Sequence, residues 1–153
     1  MPTTNSFPPA LASSPFASWV ADHTGVRVPD LEMALGWYAK SLDFRLMQST
    51  SFGELTFAYL APAVDDRFRL ELLAGPGATA RPAFKDLHDS LRTSGWHHTC
   101  FRVEHVDESV AQLKRRGVTI VNEAFDVPPL GIRIAFFADP WCNLFELKQL
   151  IRV

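Results

Sequence analysis

Apolar positions along the chain change period several times, and each change marks an element. Between Asp30 and Lys40, Leu31, Leu35 and Tyr38 recur at helical spacing, as do Val106, Val110 and Leu113 between Val106 and Arg116. Six other runs are rich in β-branched and aromatic residues and predict strands: Phe44–Thr50, Glu54–Leu60, Arg67–Leu73, Val118–Val121, Ile132–Phe137 and Leu144–Leu150. Two further strands lead into the helices from His23 and His98. Gly75-Pro76-Gly77 and Arg81-Pro82 interrupt the pattern and predict a connector, with one short helix between Asp86 and Arg92. The predicted order is βαβββ, written twice.

The two halves are related in sequence as well as in pattern. An offset of 75 residues places His23 on His98 and Glu71 on Glu146, so each half carries a His and a Glu 48 residues apart. The flanks agree in kind: His23-Thr24-Gly25-Val26-Arg27-Val28 matches His98-Thr99-Cys100-Phe101-Arg102-Val103, and Leu70-Glu71-Leu72 matches Phe145-Glu146-Leu147. Residues two apart on a strand share a face. His23, Gly25 and Arg27 therefore lie together, as do His98, Cys100 and Arg102, with the apolar partners turned toward the helices. Two imidazoles and two carboxylates on uncovered strand faces make a nitrogen and oxygen donor set suited to a divalent transition ion. His97 alternates away from His98 and reads as a core or interface residue.

Composition narrows the class. The 153 residues make one domain's worth of chain, and with 47% hydrophobic and 21% charged residues they predict a soluble globule. A net charge of −2 supplies no basic field for nucleic acid, and no uninterrupted apolar stretch is long enough to span a membrane. Cys100 and Cys142 have no metal-type or framework spacing, which fits a reducing cytoplasm. Residues 1–20 carry no charge and have prolines at 2, 8, 9 and 15, so they predict a flexible tail, with Phe7, Phe16 and Trp19 available to pack on a partner.

Residues 21–150 resemble the vicinal oxygen chelate, or glyoxalase/bleomycin-resistance/dioxygenase, superfamily. The likeness is carried by Asp22-His23-Thr24-Gly25-Val26-Arg27-Val28-Pro29-Asp30, Trp37-Tyr38 with Leu42-Asp43-Phe44, Trp96-His97-His98-Thr99-Cys100-Phe101-Arg102-Val103, and Phe137-Ala138-Asp139-Pro140-Trp141-Cys142-Asn143-Leu144-Phe145-Glu146-Leu147. The resemblance implies an α+β fold in which tandem βαβββ modules form an open eight-stranded β-barrel with flanking helices. Module 1 would cover about 21–74, the connector about 75–95 and module 2 about 96–150. It also implies one divalent metal ion per site (Ni, Zn, Co, Mn or Fe), held by His23, Glu71, His98 and Glu146, and a homodimer.

That ligand set resembles metal-dependent glyoxalase I and implies a lyase or isomerase, with metal-assisted proton transfer next to a carbonyl through an enediolate. Glu146, or else Glu71, would be the catalytic base. Arg27, Arg102 and Trp96 would bind a small-molecule substrate. An iron-dependent extradiol-type dioxygenase and a metal-free drug-binding resistance protein are the alternative activities within the superfamily. The chain departs from bacterial glyoxalase I at Gly75, where Asn helps to hold glutathione, and from the family's Asp-Pro-x-Gly-Asn turn at Cys142, which stands in place of Gly.

Overall fold

A computed structural model describes residues 8–151. Of the expected tail, residues 1–7, Phe7 among them, lie outside the described residues. Residues 11–19 form consecutive hydrogen-bonded turns, in which the exposed rings of Phe16 and Trp19 meet at 4.7 Å.

Each module is built in the predicted order. The first runs through β1 (His23–Val28), α1 (Leu31–Leu42), β2 (Arg45–Phe52), β3 (Leu55–Ala61) and β4 (Arg69–Ala74). A four-residue helix, α2 (Leu87–Ser90), sits in the connector. The second module follows with β5 (His98–Arg102), α3 (Val106–Arg115), β6 (Thr119–Val127), β7 (Ile132–Ala138) and β8 (Leu144–Leu150). The strands form two four-stranded sheets, ordered β1-β4-β3-β2 and β5-β8-β7-β6. The open barrel of the sequence reading thus takes the form of two separate sheets, with β1 and β5 at an edge of each.

Local chemistry sets these boundaries. Asp30 starts α1 by accepting a hydrogen bond from the Met33 amide at 2.8 Å, and Asp43 ends it in the left-handed conformation at φ 55°. The parallel pairing of β1 with β4 requires a crossover, which α1, β2 and β3 supply. Strand β6 extends six residues beyond the predicted Val121 end, to Val127. It is an edge strand with two register shifts, so polar Asn122, Glu123 and Asp126 fit a partnership on one side only.

One core serves both modules. Ala34 and Tyr38 of α1, Leu70 and Leu72 of β4, Val106 and Val110 of α3, and Phe145 and Leu147 of β8 belong to the same buried cluster. Burying a Leu or Phe side chain contributes about 1.5–3 kcal/mol, so packing between the halves stabilises both. A second cluster, Ile132, Ile134, Phe136 and Leu144, packs with Phe84 and Leu87 of the connector. By register Phe136 lies opposite Glu146, so this apolar patch shares a face with the candidate carboxylate. The sequence reading left that face uncovered; the connector covers part of it. Burial on both sides explains why β7 reads Ile-Arg-Ile-Ala-Phe-Phe-Ala with almost no alternation.

Candidate functional site

Parallel pairing repeats the same arrangement in each sheet. Glu71 lies opposite Gly25, two residues beyond His23, and Glu146 lies opposite Cys100, two residues beyond His98. The diagonal brings His23 Nε2 to 3.4 Å from Glu71 Oε2, and His98 Nε2 to 2.8 Å from Glu146 Oε2. Both carboxylate side chains are 13% exposed and both imidazoles about one third exposed. Donors bound about 2.1 Å from one ion sit about 3.0–3.4 Å apart at neighbouring octahedral or tetrahedral positions. The His23–Glu71 separation falls in that range, while His98 and Glu146 sit closer, at hydrogen-bond distance. Among the described residues, no three His, Cys, Asp or Glu side chains gather closely enough to hold an ion, so one chain brings the four expected ligands together as two pairs.

The far nitrogens of both imidazoles are also engaged. His23 Nδ1 is 2.8 Å from Asp22 Oδ1, and this hydrogen bond holds the Asp22 carboxyl below its ordinary pKa. His98 Nδ1 is 2.8 Å from His97 Nδ1, and His97 Nε2 is 2.9 Å from Ser90 Oγ. His97 precedes β5 rather than alternating within it, which is why its ring turns back onto its neighbour instead of entering the core. Burial first, then His98 and Arg81, lower its pKa, so it is neutral at neutral pH. Asp22, Ser90 and His97 are contacts that strand alternation missed, because none of the three lies inside a strand.

Two more residues distinguish the pairs. The Tyr59 phenol lies beside Glu71, and this carboxylate, ahead of burial, raises its pKa. Tyr59 also faces Glu71 in the β3–β4 register, a placement that depends on how the two strands pair and not on alternation along either. Glu146 faces Phe136 instead, which offers no donor. Its polar neighbour is the Cys100 thiol, pushed up to about 11 by burial and by the adjacent carboxylate. Cys100 is therefore a thiol at neutral pH, not a nucleophile.

The expected substrate contacts separate. Trp96 is 94% exposed, and Arg102 is exposed at the end of β5 with no ion pair among the described residues. Arg27 lies along the cleft between the sheet edges, with its guanidinium engaged: Nη1 donates to the carbonyls of Val28 and Leu73 at 2.6 and 2.8 Å, and Nη2 donates to those of Gly75 and Pro76 at 2.8 and 2.7 Å. A guanidinium spread over four carbonyls fastens β1 to the turn after β4 and has no fork left for a carboxylate. His23, His98 and Trp96 line one cleft of about 1010 Å³ between the edges of the two sheets, with residues 77–82 of the connector along it.

The same turn explains Gly75. Its φ is +142°, and a Cβ there would lie 2.6 Å from the Glu54 carbonyl oxygen. Gly75→Asn is expected to cost about 3 kcal/mol, combining left-handed strain with a backbone clash. A urea midpoint unchanged from the parent would show that the turn can relax. At the other departure, Cys142 adopts φ 63°, so the turn keeps its left-handed residue without glycine.

Comparison with known proteins follows this geometry. Residues 20–147 match the family model described as the Glyoxalase/Bleomycin resistance protein/Dioxygenase superfamily. The uncharacterised protein YurT of Bacillus subtilis is 29% identical over 126 residues, covering 82% of this chain and 95% of YurT. Human mitochondrial methylmalonyl-CoA epimerase is 24% identical over 130 residues, covering 84% of this chain and 72% of the epimerase. The crystal structure of a glyoxalase family protein from Enterococcus faecalis superposes with TM-score 0.69 at 21% identity, covering 85% of this chain and 97% of that one. At that identity the structural likeness concerns the fold.

Proposed function

The chain belongs to the glyoxalase/bleomycin resistance protein/dioxygenase superfamily, and from that premise we propose that it is a divalent-metal-dependent lyase or isomerase of the glyoxalase I type. The observation that carries this reading is the duplicated His–Glu pair, with the same strand register and a close imidazole–carboxylate contact in both modules. His23 and Glu71 of one protomer, with His98 and Glu146 of a second copy, would complete the set, so the active species is a homodimer. Ni, Zn, Co, Mn or Fe bound there would supply a Lewis acid beside the substrate carbonyl.

The protein's own residues divide the remaining work. Glu146 takes the proton from the carbon next to the carbonyl and returns it to the neighbouring position. It is assigned as the base because it faces Phe136, which offers no donor, whereas Glu71 faces the Tyr59 phenol. Arg102 meets an anionic group on the substrate and Trp96 forms one wall. With Arg27 bound to the chain and no room for Asn at position 75, the site lacks the two contacts of a glutathione grip. We therefore assign the substrate to small carbonyl acids or thioesters with an acidic C–H.

Elemental analysis of the protein beside His98→Ala, after identical dialysis, tests this reading. About one divalent ion per chain, lost in the variant, is the expected result. No retained ion, with melting unchanged when ions are added, would overturn it.

A further inference from the structure

The offset that superposes the two halves also places Arg27 on Arg102 and Leu73 on Lys148. Each couple meets across parallel strands, Arg27 opposite Leu73 and Arg102 opposite Lys148. What the backbone offers differs between them. Strand β4 stops at Ala74, and the turn at Gly75 and Pro76 aims its carbonyls at the Arg27 guanidinium. Strand β8 runs on to Leu150, paired with Ile132 of β7, so no such turn meets Arg102. Neither Arg102 nor Lys148 has a side-chain hydrogen bond or ion pair among the described residues, although Arg45, Arg67, Arg92, Lys114, Arg116 and Arg133 all have carboxylate partners. Like charges directly opposite on a sheet destabilise it, and Lys148 is half-buried, where an unpaired ammonium costs more than in open water. The couple shares the face of His98, Cys100 and Glu146, and Lys148 is the one neighbour that opposes the raised pKa of the Cys100 thiol.

We infer that Arg102 and Lys148 form a clamp for a terminal phosphate group on the substrate. The inference rests on the lyase or isomerase reading and names its substrate class, carbonyl compounds that carry a phosphate monoester. A carboxylate has two oxygens, and one guanidinium fork engages both. A phosphate keeps a third oxygen and a second charge, which answer Lys148. Position agrees with this chemistry. Two residues along the strands, about 6.5 Å, separate the Cys100–Glu146 step from the Arg102–Lys148 step, and His98 lies on the other side of Glu146, opposite Leu144. Imidazole, carboxylate and cations therefore follow one another along β5 and β8. A substrate laid along them presents its carbonyl beside His98, its acidic C–H to Glu146 and its phosphate to the clamp.

Binding is read by calorimetry with inorganic phosphate and propyl phosphate as probes and acetate as the singly charged control. The titrations are run at constant ionic strength and about pH 8, where phosphate is doubly charged, on the protein as purified and after dialysis against a chelator. Both phosphates are expected to bind saturably before and after chelation, and acetate about tenfold more weakly. Arg102→Gln and Lys148→Gln should each weaken phosphate binding about tenfold, while Lys40→Gln on α1 leaves it unchanged. Urea midpoints without phosphate separate binding from folding, because Lys148→Gln removes a repulsion and should be at least as stable as the parent. Absence of saturable binding, binding lost on chelation, binding unmoved in both clamp variants, or binding abolished by the propyl chain would overturn the inference. So would a lower urea midpoint in Lys148→Gln, which would make that residue structural. Phosphate binding in a protein that holds no divalent ion would support the clamp and count against the metal reading alone.

Discussion

Glu146→Gln is expected to keep the fold and the bound ion while lowering turnover by about 10³-fold, the range of a general base that has lost its proton affinity. The amide matches the carboxylate in shape and retains an oxygen 2.8 Å from the position of His98 Nε2, so ligation survives the change. What is lost is the capacity to hold a proton. Steady-state kinetics beside metal content and circular dichroism separate these effects, because a ligation defect would lower the ion content and a folding defect the ellipticity. Glu71→Gln should fall less steeply, since Glu71 faces the Tyr59 phenol and is assigned to ligation rather than proton transfer. Full turnover in Glu146→Gln would move the base role to Glu71.

The largest loss of stability is expected from Asp139→Ala. This carboxylate is 4% exposed and accepts four hydrogen bonds. Its Oδ1 takes the amides of Trp141 and Asn143 at 2.9 and 2.8 Å, and its Oδ2 takes the Tyr38 hydroxyl and Asn143 Nδ2, both at 2.7 Å. Removing it leaves the Tyr38 hydroxyl buried without a partner, in a core where burial already pushes the phenol's pKa well up. Stranded buried donors cost about 1–3 kcal/mol each, and with the turn amides also released the expected loss is about 3–5 kcal/mol. Tyr38→Phe removes one donor and leaves three, so it should lose about 1–2 kcal/mol. Urea unfolding measures both. Equal losses in the two variants would mean that the turn bonds contribute nothing.

Periodicity made most of the architecture legible. Leu31, Leu35 and Tyr38 mark α1, and the 75-residue offset reveals both His–Glu pairs. Where the reading stopped short, the cause was an interaction without a period. Arg27 occupies the right place on its strand to reach a substrate, but whether its guanidinium is free depends on carbonyls of Leu73, Gly75 and Pro76, far along the chain. His97 was assigned by alternation just before its strand begins, where alternation has no force. Gly75 appeared as a missing contact; its φ and the nearby Glu54 carbonyl make it a requirement of the turn. Asp139 stood inside a quoted motif, yet nothing in the motif indicated that its partner would be Tyr38, 101 residues away.

The Tyr38–Asp139 bond also gives direction to a duplicated molecule. Moving each member by the 75-residue offset gives Leu113 and Val64, neither of which carries a polar side-chain atom, so the reciprocal bond cannot form. Two first halves placed together would offer tyrosine without an acceptor, and two second halves the acceptor without a tyrosine. Only unlike halves satisfy it. This chain carries in one buried contact a rule for heterologous pairing of its own halves.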